Sequence, residues 1–283
     1  MFKIVGKQEL AKDVFEFVIE APRIAGKADV GQFVVVRASE RDERLPLTIN
    51  EFQPEKGLLT LVCKAAGATT KRFCALNKGD EIRDVVGPLG KKAHIQEIKG
   101  TVVCVGAGMP GAALAAYAKA HHEAGNQVIA ICAAKDKYHL FYTEKLEHFC
   151  KKVIYVTEDG SRGMQGTALE ALQALLEEET PAGINAMGSP ELMKEIAAAT
   201  KAKNIRTYVA LHTVITDGLG MCGGCRVDVG GKVMFTCTDG PEFDGHLVEF
   251  DNFIARRKMY CEEEHKALAH VGHSCNLGLQ GGK

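Results

Sequence analysis

The sequence has almost no net charge and no long run of basic residues. Its 35 Lys and Arg residues nearly balance 36 Asp and Glu residues, which leaves a formal net charge of −1. Proteins that bind nucleic acid or an anionic membrane surface through charge carry a clustered basic patch. We therefore expect neither nucleic acid nor membrane as a partner, and we expect a protein partner to be recognised by shape.

Long uninterrupted hydrophobic runs are also missing. The first ten residues, MFKIVGKQEL, have no apolar signal core, and glycines and a proline interrupt the one long apolar run at 101–120. No secretion signal or membrane span is therefore expected. In a chain without an export signal, ten cysteines are expected to be thiols and metal ligands, because the cytosol keeps thiols reduced. We predict a cytoplasmic protein.

Three cysteines have a spacing that suits a metal centre. Cys222, Cys225 and Cys237 form a C-x2-C-x11-C pattern, and two glycines inside the first pair let both sulfurs face one point. Plant-type 2Fe-2S proteins use C-x4-C-x2-C followed by a more distant cysteine. The first position of that pattern falls here on Asp217, whose carboxylate can ligate iron. We predict that Asp217 and the three cysteines hold a 2Fe-2S cluster.

A zinc knuckle and unligated thiols are the alternatives for these cysteines. Zinc usually binds two CxxC or HxxxH pairs, whereas here one CxxC pair has the single partner Cys237, at the end of a predicted hairpin with a turn at 230–231. That topology favours an iron-sulfur centre. Near the C-terminus, His273 and Cys275 could also bind a metal ion, but a surface helix with a frayed end is the simpler interpretation.

Residues 2–99 carry short alternating apolar runs, separated by Gly, Pro and charged clusters, which predict an antiparallel barrel. Within this region, a small-residue turn at 67–70 begins a short helix. A helix start preceded by Gly and Thr offers backbone N–H groups to a pyrophosphate. A threonine there is more often a simple N-cap, so the turn alone leaves both interpretations open.

After Gly100 the pattern changes to strands that alternate with helices, which predicts a parallel sheet with crossover helices. The strand at 101–105 is followed by Gly106, Gly108 and Gly111 in a G-x-G-x-x-G loop and then by a helix over 112–123. This is the context of a dinucleotide-binding fingerprint. With the size of the chain, these patterns predict a barrel domain at 1–99, a Rossmann-like α/β domain at 100–212 and a small cluster-binding subdomain at 213–283.

With these three parts in this order, the chain resembles the ferredoxin reductase-like family. Within it, the stretches at 217–226 and 235–246 are similar, almost letter for letter, to the small subunits of NADH-dependent reduced ferredoxin:NADP oxidoreductases. The loop at 157–166 resembles the nucleotide-side loop of that family, and 46–48 resembles its flavin-contact strand.

The resemblance implies an electron-transfer oxidoreductase subunit that uses FAD, NAD(H) and one 2Fe-2S cluster, with the flavin as converter between hydride and single electrons. It also implies a larger partner subunit that contains FAD and 4Fe-4S clusters, within an electron-bifurcating complex. The implied flavin residues are Arg44, Pro46, Leu47, Thr48, Gly67, Thr69 and Thr70. The implied nucleotide residues are Gly106, Gly108, Gly111, Asp159, Gly160 and Ser161.

Two other functions remain open. The electron-transfer subunit of dihydroorotate dehydrogenase has the same order of parts, but it resembles the plant-type spacing with four cysteines, and Asp217 argues against it. A redox-sensing subunit without turnover is the other alternative, because Pro110 precedes Gly111 in the glycine loop and withholds one N–H from a pyrophosphate.

Overall fold

The computed structural model of the protein describes residues 1–40 and 42–274. The N-terminal part folds into a seven-stranded antiparallel sheet with two short helices, α1 (Pro22–Ala25) and α2 (Ala68–Cys74). Its strands are β1 (Phe2–Ala11), β2 (Val14–Glu20), β3 (Phe33–Arg37), β4 (Leu45–Gln53), β5 (Leu58–Lys64), β6 (Glu81–Ile82) and β7 (Asp84–Leu89).

The strand order in this sheet is β6-β1-β2-β5-β4-β3-β7. Because the two end strands are also neighbours in the chain, the sheet curls into a nearly closed barrel. Alternate residues point inward along each strand, so that Phe17 and Ile19 of β2 are fully buried beside Leu59 and Leu61 of β5. The predicted antiparallel barrel is confirmed.

The second part is an α/β domain with helices on both faces of one sheet. Its strands are β8 (Thr101–Ala107), β9 (Gln127–Ala134), β10 (Lys152–Thr157), β11 (Met164–Gln165), β12 (Gly183–Met187) and β13 (Thr207–Ala210). Its helices are α3 (Leu114–Glu123), α4 (Thr143–Phe149), α5 (Ala168–Glu178) and α6 (Pro190–Ala202). These strands pair in parallel in the order β11-β10-β9-β8-β12-β13, which confirms the Rossmann-like prediction.

The third part begins after β13 with an irregular loop. It continues through β14 (Arg226–Val229), β15 (Lys232–Phe235), β16 (Glu242–Asp244), α7 (Phe250–Arg257) and α8 (Cys261–Ser274). Strands β14 and β15 form the predicted hairpin, and both turn glycines, Gly230 and Gly231, have positive φ angles of 58° and 75°. Strand β16 returns to the α/β sheet and pairs antiparallel with β13. A three-residue strand carries too little alternation to be predicted from the sequence.

One predicted helix boundary was wrong. The sequence places the first nucleotide-domain helix at 112–123, whereas Met109–Ala113 form a 3-10 turn and α3 starts at Leu114. The tighter turn follows Gly108, whose φ of 61° few other residues adopt. None of the helices in the described part of the chain combines the length and the apolar character needed to cross a bilayer.

Candidate cofactor sites

The loop between β13 and β14 is organised around the carboxylate of Asp217. One carboxylate oxygen accepts the N–H of Leu219 at 3.0 Å, and the other accepts the N–H groups of Met221 at 3.0 Å and Cys222 at 2.7 Å. The hydrogen bond from Leu219, followed by those from Cys222 and Met221, lowers the pKa of Asp217. A carboxylate at this position therefore holds the loop in its turned conformation.

Cys222 and Cys225 lie at the end of this loop that leads into β14, and Cys237 follows β15 of the hairpin. Cys225 and Cys237 are buried, with their sulfurs 3.2 Å apart, and they pack with Phe33 and Val35 of β3 on the barrel. Cys222 is exposed, and its sulfur accepts the N–H of Gly224 at 3.4 Å. Burial raises the pKa of the Cys237 thiol, and the neighbouring thiol of Cys225 adds to the effect.

The donor set of this region fits an iron-sulfur cluster. It supplies thiol sulfur from three cysteines, a carboxylate in the same loop, and a backbone N–H to sulfur bond of the kind that tunes cluster potentials. Within residues 1–40 and 42–274, no three His, Cys, Asp or Glu side chains converge on one metal-binding point. The four-residue ligand set therefore stays a prediction. Cys275 and the side chain of His273 lie outside the described residues.

An open cleft of about 710 Å³ lies between the barrel and the third part of the chain. Four of the predicted flavin residues line it: Arg44, Gly67, Thr69 and Thr70. The opposite walls come from 214–216 and from α8. The Thr70 hydroxyl accepts the N–H of Gly67 at 2.8 Å, which makes it a cap of α2, and Thr69 donates to Glu43 at 2.7 Å.

A second, smaller cavity of about 150 Å³ lies where the barrel meets the carboxyl end of the α/β sheet. Pro46 and Thr48 of β4 line it, whereas Leu47 between them points into the barrel core, because successive strand residues face opposite sides. Ile215 lines both this cavity and the open cleft. The two spaces therefore adjoin, and the segment that enters the cluster loop forms their common wall.

The glycine loop lies at the carboxyl end of β8, which is the sheet edge where Rossmann-like folds bind nucleotides. A Cβ on Gly106 would come within 3.0 Å of the Leu114 side chain, and one on Gly111 would come within 3.0 Å of the Gly106 backbone. Gly106 and Gly111 are therefore required for close packing of the helix start on the strand. A Cβ on Gly108 would meet nothing within 4 Å.

The predicted residues Asp159, Gly160 and Ser161 form an exposed turn that follows β10. The Asp159 carboxylate accepts the N–H of Ser161 at 2.9 Å, and the Ser161 hydroxyl accepts the N–H of Lys137 at 2.8 Å. Hydrogen bonds from the side chain and the backbone of Ser161 lower the pKa of Asp159. The turn joins the carboxyl ends of β9 and β10, at the same edge of the sheet as the glycine loop.

Sequence reasoning missed a buried polar group beside the smaller cavity. Tyr117 of α3, only 2% exposed, lines this cavity, and its hydroxyl has no hydrogen-bond partner within the described residues. Glu242 of β16 is 5% exposed and accepts hydrogen bonds from His94 and Asn185. These residues come from separate segments, so no local motif signals them. An unpartnered hydroxyl facing the cavity fits a polar ligand there.

Comparisons with known proteins agree with this arrangement. Residues 212–249 match the family model described as the iron-sulfur cluster binding domain of dihydroorotate dehydrogenase B. The chain is 39% identical to a Thermotoga maritima protein named as a homolog of the dihydroorotate dehydrogenase B (NAD(+)) electron transfer subunit, over 93% of this chain and 92% of the relative. It is 30% identical to the electron transfer subunit itself from Shouchella clausii, over 85% of this chain and 94% of the relative.

Among solved structures, a chain from the NADH-dependent reduced ferredoxin-NADP oxidoreductase superposes with a TM-score of 0.90 at 37% identity, covering 95% of this chain and 97% of that one. The fold and the cluster region thus define a ferredoxin reductase-like electron-transfer protein. More narrowly, the chain belongs to the family of dihydroorotate dehydrogenase B electron transfer subunits and their homologs. The predicted family, electron-transfer role and cofactors, FAD, NAD(H) and a 2Fe-2S cluster, are confirmed at this level.

Proposed function

We propose that the chain is the small subunit of an NADH-dependent reduced ferredoxin:NADP oxidoreductase that bifurcates electrons, and that it works in the cytoplasm. Electrons pass between NAD(H), FAD and the 2Fe-2S cluster, and from there to or from a larger subunit that contains FAD and 4Fe-4S clusters. The three functional parts are residues 1–99, 100–212 and 213–283. The supporting comparison is the solved oxidoreductase chain, which this protein matches over nearly its whole length.

The observation that carries the proposal is the common wall between the two cavities and the cluster loop. Ile215 lines both cavities, and Asp217, two residues further on, begins the predicted ligand set. A group bound in the cavities and a cluster held by the loop would therefore be close neighbours. Electron transfer between two carriers needs such proximity.

The residues have distinct roles in this proposal. Arg44, Gly67 and Thr69 bind the pyrophosphate of FAD in the open cleft, and Pro46 and Thr48 contact its ring system in the smaller cavity. The Leu47 side chain in the barrel core and the cap formed by Thr70 hold these two segments in place. When bound, the flavin converts a two-electron hydride into single electrons.

The nucleotide and the cluster have their own residues. Gly106, Gly108 and Gly111 let the pyrophosphate of NAD(H) approach the start of the helix, and the turn of Asp159, Gly160 and Ser161 lies on the adenosine side. Asp217, Cys222, Cys225 and Cys237 bind the cluster. The buried pair, Cys225 and Cys237, fixes it against the barrel.

A test of the cluster assignment is the electron paramagnetic resonance spectrum of the anaerobically purified, dithionite-reduced protein. We expect two irons per chain, one FAD, and a 2Fe-2S signal whose g-values change in Asp217→Cys. The matched control is Asp228→Cys, which replaces a carboxylate on the hairpin outside the loop and should leave the signal unchanged. Zinc in place of iron, or a signal indifferent to position 217, would contradict the ligand set.

The enzyme assignment has its own test, which is anaerobic titration of the purified protein with NADH. We expect NADH to bleach the absorbance of the bound flavin and then to reduce the cluster. A flavin that NADH cannot reduce would instead support the redox-sensing alternative.

A dihydroorotate dehydrogenase electron-transfer subunit is the second candidate, favoured by the names of the relatives at 30% identity and below. With the partner subunit present, electrons from dihydroorotate would then reduce the cluster. On our proposal dihydroorotate leaves the cluster oxidised, whereas NADH and reduced ferredoxin together reduce NADP(+).

A further inference from the structure

Two arginines hold the turn between the first two cysteines of the proposed ligand set. Arg256 of α7 donates from Nη2 to the carbonyl oxygen of Gly224 at 3.2 Å. Arg226, the first residue of β14, donates from Nη1 to the carbonyl oxygen of Gly223 at 3.4 Å. The two acceptors are the glycines that separate the paired cysteines. The carbonyl of each intervening glycine is therefore bound to a guanidinium group.

Helix α7 gives Arg256 a fixed position. Phe253 of this helix is 1% exposed and packs in the same hydrophobic core as Val227 of β14. Arg256 follows Phe253 by three residues, so both side chains lie on the same side of the helix. The helix face that is anchored in the core therefore also presents the guanidinium group to the loop. Arg226 lacks such an anchor, since its side chain is exposed.

The positive charge around this turn is not balanced by acidic side chains. Arg226, Arg256 and Arg257 line a narrow cavity of about 10 Å³ against Gly224, and no Asp or Glu is among the described residues that line it. None of the three arginines forms an ion pair with a described residue. The cavity has room for one water molecule at most. Arginines in the last turn of a helix also suit its dipole, but Arg226 lies on a strand.

A 2Fe-2S cluster on this loop would supply the missing negative charge. The carboxylate and the three thiolates of the proposed ligand set outweigh the positive charge that two ferric ions and two sulfides leave, so that the oxidised cluster is an anion. One-electron reduction makes it more negative. A positive charge nearby stabilises the reduced form more than the oxidised form. Net charge of the surroundings is one of the factors that set the potential of such a cluster.

We infer that Arg256 is a positioning residue of the cluster-binding loop. Its hydrogen bond to Gly224 fixes the turn of the CxxC pair, and its charge favours the reduced cluster. Arg226 adds positive charge from the exposed side of the same turn. Arg256 does not ligate iron, and it acts through the loop. The inference rests on the proposed function, because it needs the cluster that Asp217 and the three cysteines are proposed to bind.

The first test is a redox titration of the full chain with its FAD and cluster, followed by the electron paramagnetic resonance signal of the reduced cluster. Arg256→Gln removes the charge but keeps an N–H donor. We expect it to lower the equilibrium constant for one-electron reduction about tenfold, the effect of one charge partly shielded by solvent. A tenfold change corresponds to about 59 mV for a one-electron couple. Arg256→Lys keeps the charge and should restore a potential close to that of the wild type.

The second test measures the positioning role through the release of iron to a chelator. Arg256→Met removes both the charge and the donor while it keeps a long side chain. It should release iron about tenfold faster or more, since the loss of a residue that supports a metal ligand costs about 10- to 100-fold in affinity. Arg256→Gln, which keeps a donor, should release iron more slowly than Arg256→Met. If Arg256→Met does not fold, the potentials of the Gln and Lys variants still decide the inference.

Arg257→Gln is the matched control for both tests. It removes the same charge from the next residue of α7, which is exposed and makes no hydrogen bond to the loop within the described residues. The variant should release iron at the wild-type rate. Its cluster potential should change less than that of Arg256→Gln, because the charge that it removes is not fixed against the turn.

The outcomes separate this inference from the function on which it rests. If the wild type holds its cluster and Arg256→Gln has the same potential as the wild type, the inference is wrong and the proposed function stands. Equal changes in potential in Arg257→Gln and Arg256→Gln, or a potential that Arg256→Lys does not restore, would also overturn it. If the wild type binds no iron, the proposed function is wrong and the inference falls with it.

Discussion

Two glycine-rich loops of the molecule look alike in the sequence but are built differently. In the nucleotide-domain loop, Gly106 and Gly111 are needed for space, because an added Cβ on either would lie within 3.0 Å of a neighbouring atom. In the cluster loop, Gly220 and Gly223 have positive φ angles of 78° and 67°, and a Cβ on Gly223 would meet only one atom, 3.8 Å away. There the glycine is needed for its backbone conformation.

The difference shows how each loop resists change. The nucleotide loop is held by packing of a strand against a helix, so its shape depends on buried neighbours. The cluster loop is held by three N–H bonds to one exposed carboxylate, Asp217, and by two buried thiols against the barrel. We therefore expect volume changes to damage the first loop, and changes in ligands, backbone freedom or charge to damage the second.

The largest effect should come from the buried thiols. Cys225→Ser should lower the iron content of the purified protein tenfold or more, because it removes a proposed ligand. Loss of a residue that merely hydrogen-bonds to a ligand already costs about 10- to 100-fold in metal affinity. Cys261→Ser, which changes an exposed cysteine of α8, is the control. Iron analysis and the visible spectrum measure the effect. Full iron content in Cys225→Ser would remove this residue from the ligand set.

The second prediction compares a glycine that is needed for space with a glycine that is needed for its backbone conformation. Gly111→Ala should lower the free energy of unfolding by about 1–3 kcal/mol, the usual cost of overpacking, and should weaken NADH binding. Gly223→Ala should cost about 1–2 kcal/mol, the cost of a left-handed backbone for a residue with a Cβ.

Replacing each glycine by asparagine instead of alanine should change stability in opposite directions at the two positions. Gly223→Asn should be less costly than Gly223→Ala, since Asn tolerates positive φ, whereas Gly111→Asn should be worse than Gly111→Ala. Denaturant unfolding of the four variants measures this. The distinction between the loops would be lost if Asn were the better substitute at both positions.

The smallest effect concerns Asp217 and pH. Its backbone hydrogen bonds lower its pKa in the folded protein, so its contribution to loop stability is fully present above the ordinary pKa of 3.8 and is lost as the pH falls through the lowered value. Amide exchange at Met221 and Cys222 in the cluster-free protein should therefore accelerate in strong acid. In Asp217→Asn, these two amides should exchange several-fold faster already at neutral pH, and their exchange should show no further acceleration from loss of this carboxylate's charge in acid. An unchanged exchange rate in the variant would contradict the role of the carboxylate.

Much of the fold could be predicted because its signals are local. The helix at Ala168–Glu178 starts with a Thr167 cap paired with Glu170, which is a short-range pattern. The hairpin followed from a Gly-Gly turn between alternating strands. Strand β16 and the 3-10 turn at Met109–Ala113 were missed, because the first depends on its partner β13 and the second on contact between Gly106 and Gly111.

The candidate sites divide in the same way. Motifs within a few residues of each other, such as Asp217 with Cys222 and Cys225, could be recognised from spacing. Leu47 points into the barrel core, whereas Pro46 and Thr48 line the cavity. Which of these residues face the cavity depends on which face of β4 the rest of the fold covers. The adjoining cavities depend on how the barrel packs on the α/β sheet.

The sequence by itself determined the order of the three parts, the cluster motif and the glycine loop. Each of these features depends on neighbouring residues and on backbone preferences that act over a few positions. Only the tertiary structure decided that His94 meets Glu242 and that Tyr117 lines the smaller cavity. His94 and Glu242 are 148 residues apart in the chain. They come together because β16 crosses back to pair with β13, and no local pattern records a contact that depends on the packing of a whole sheet.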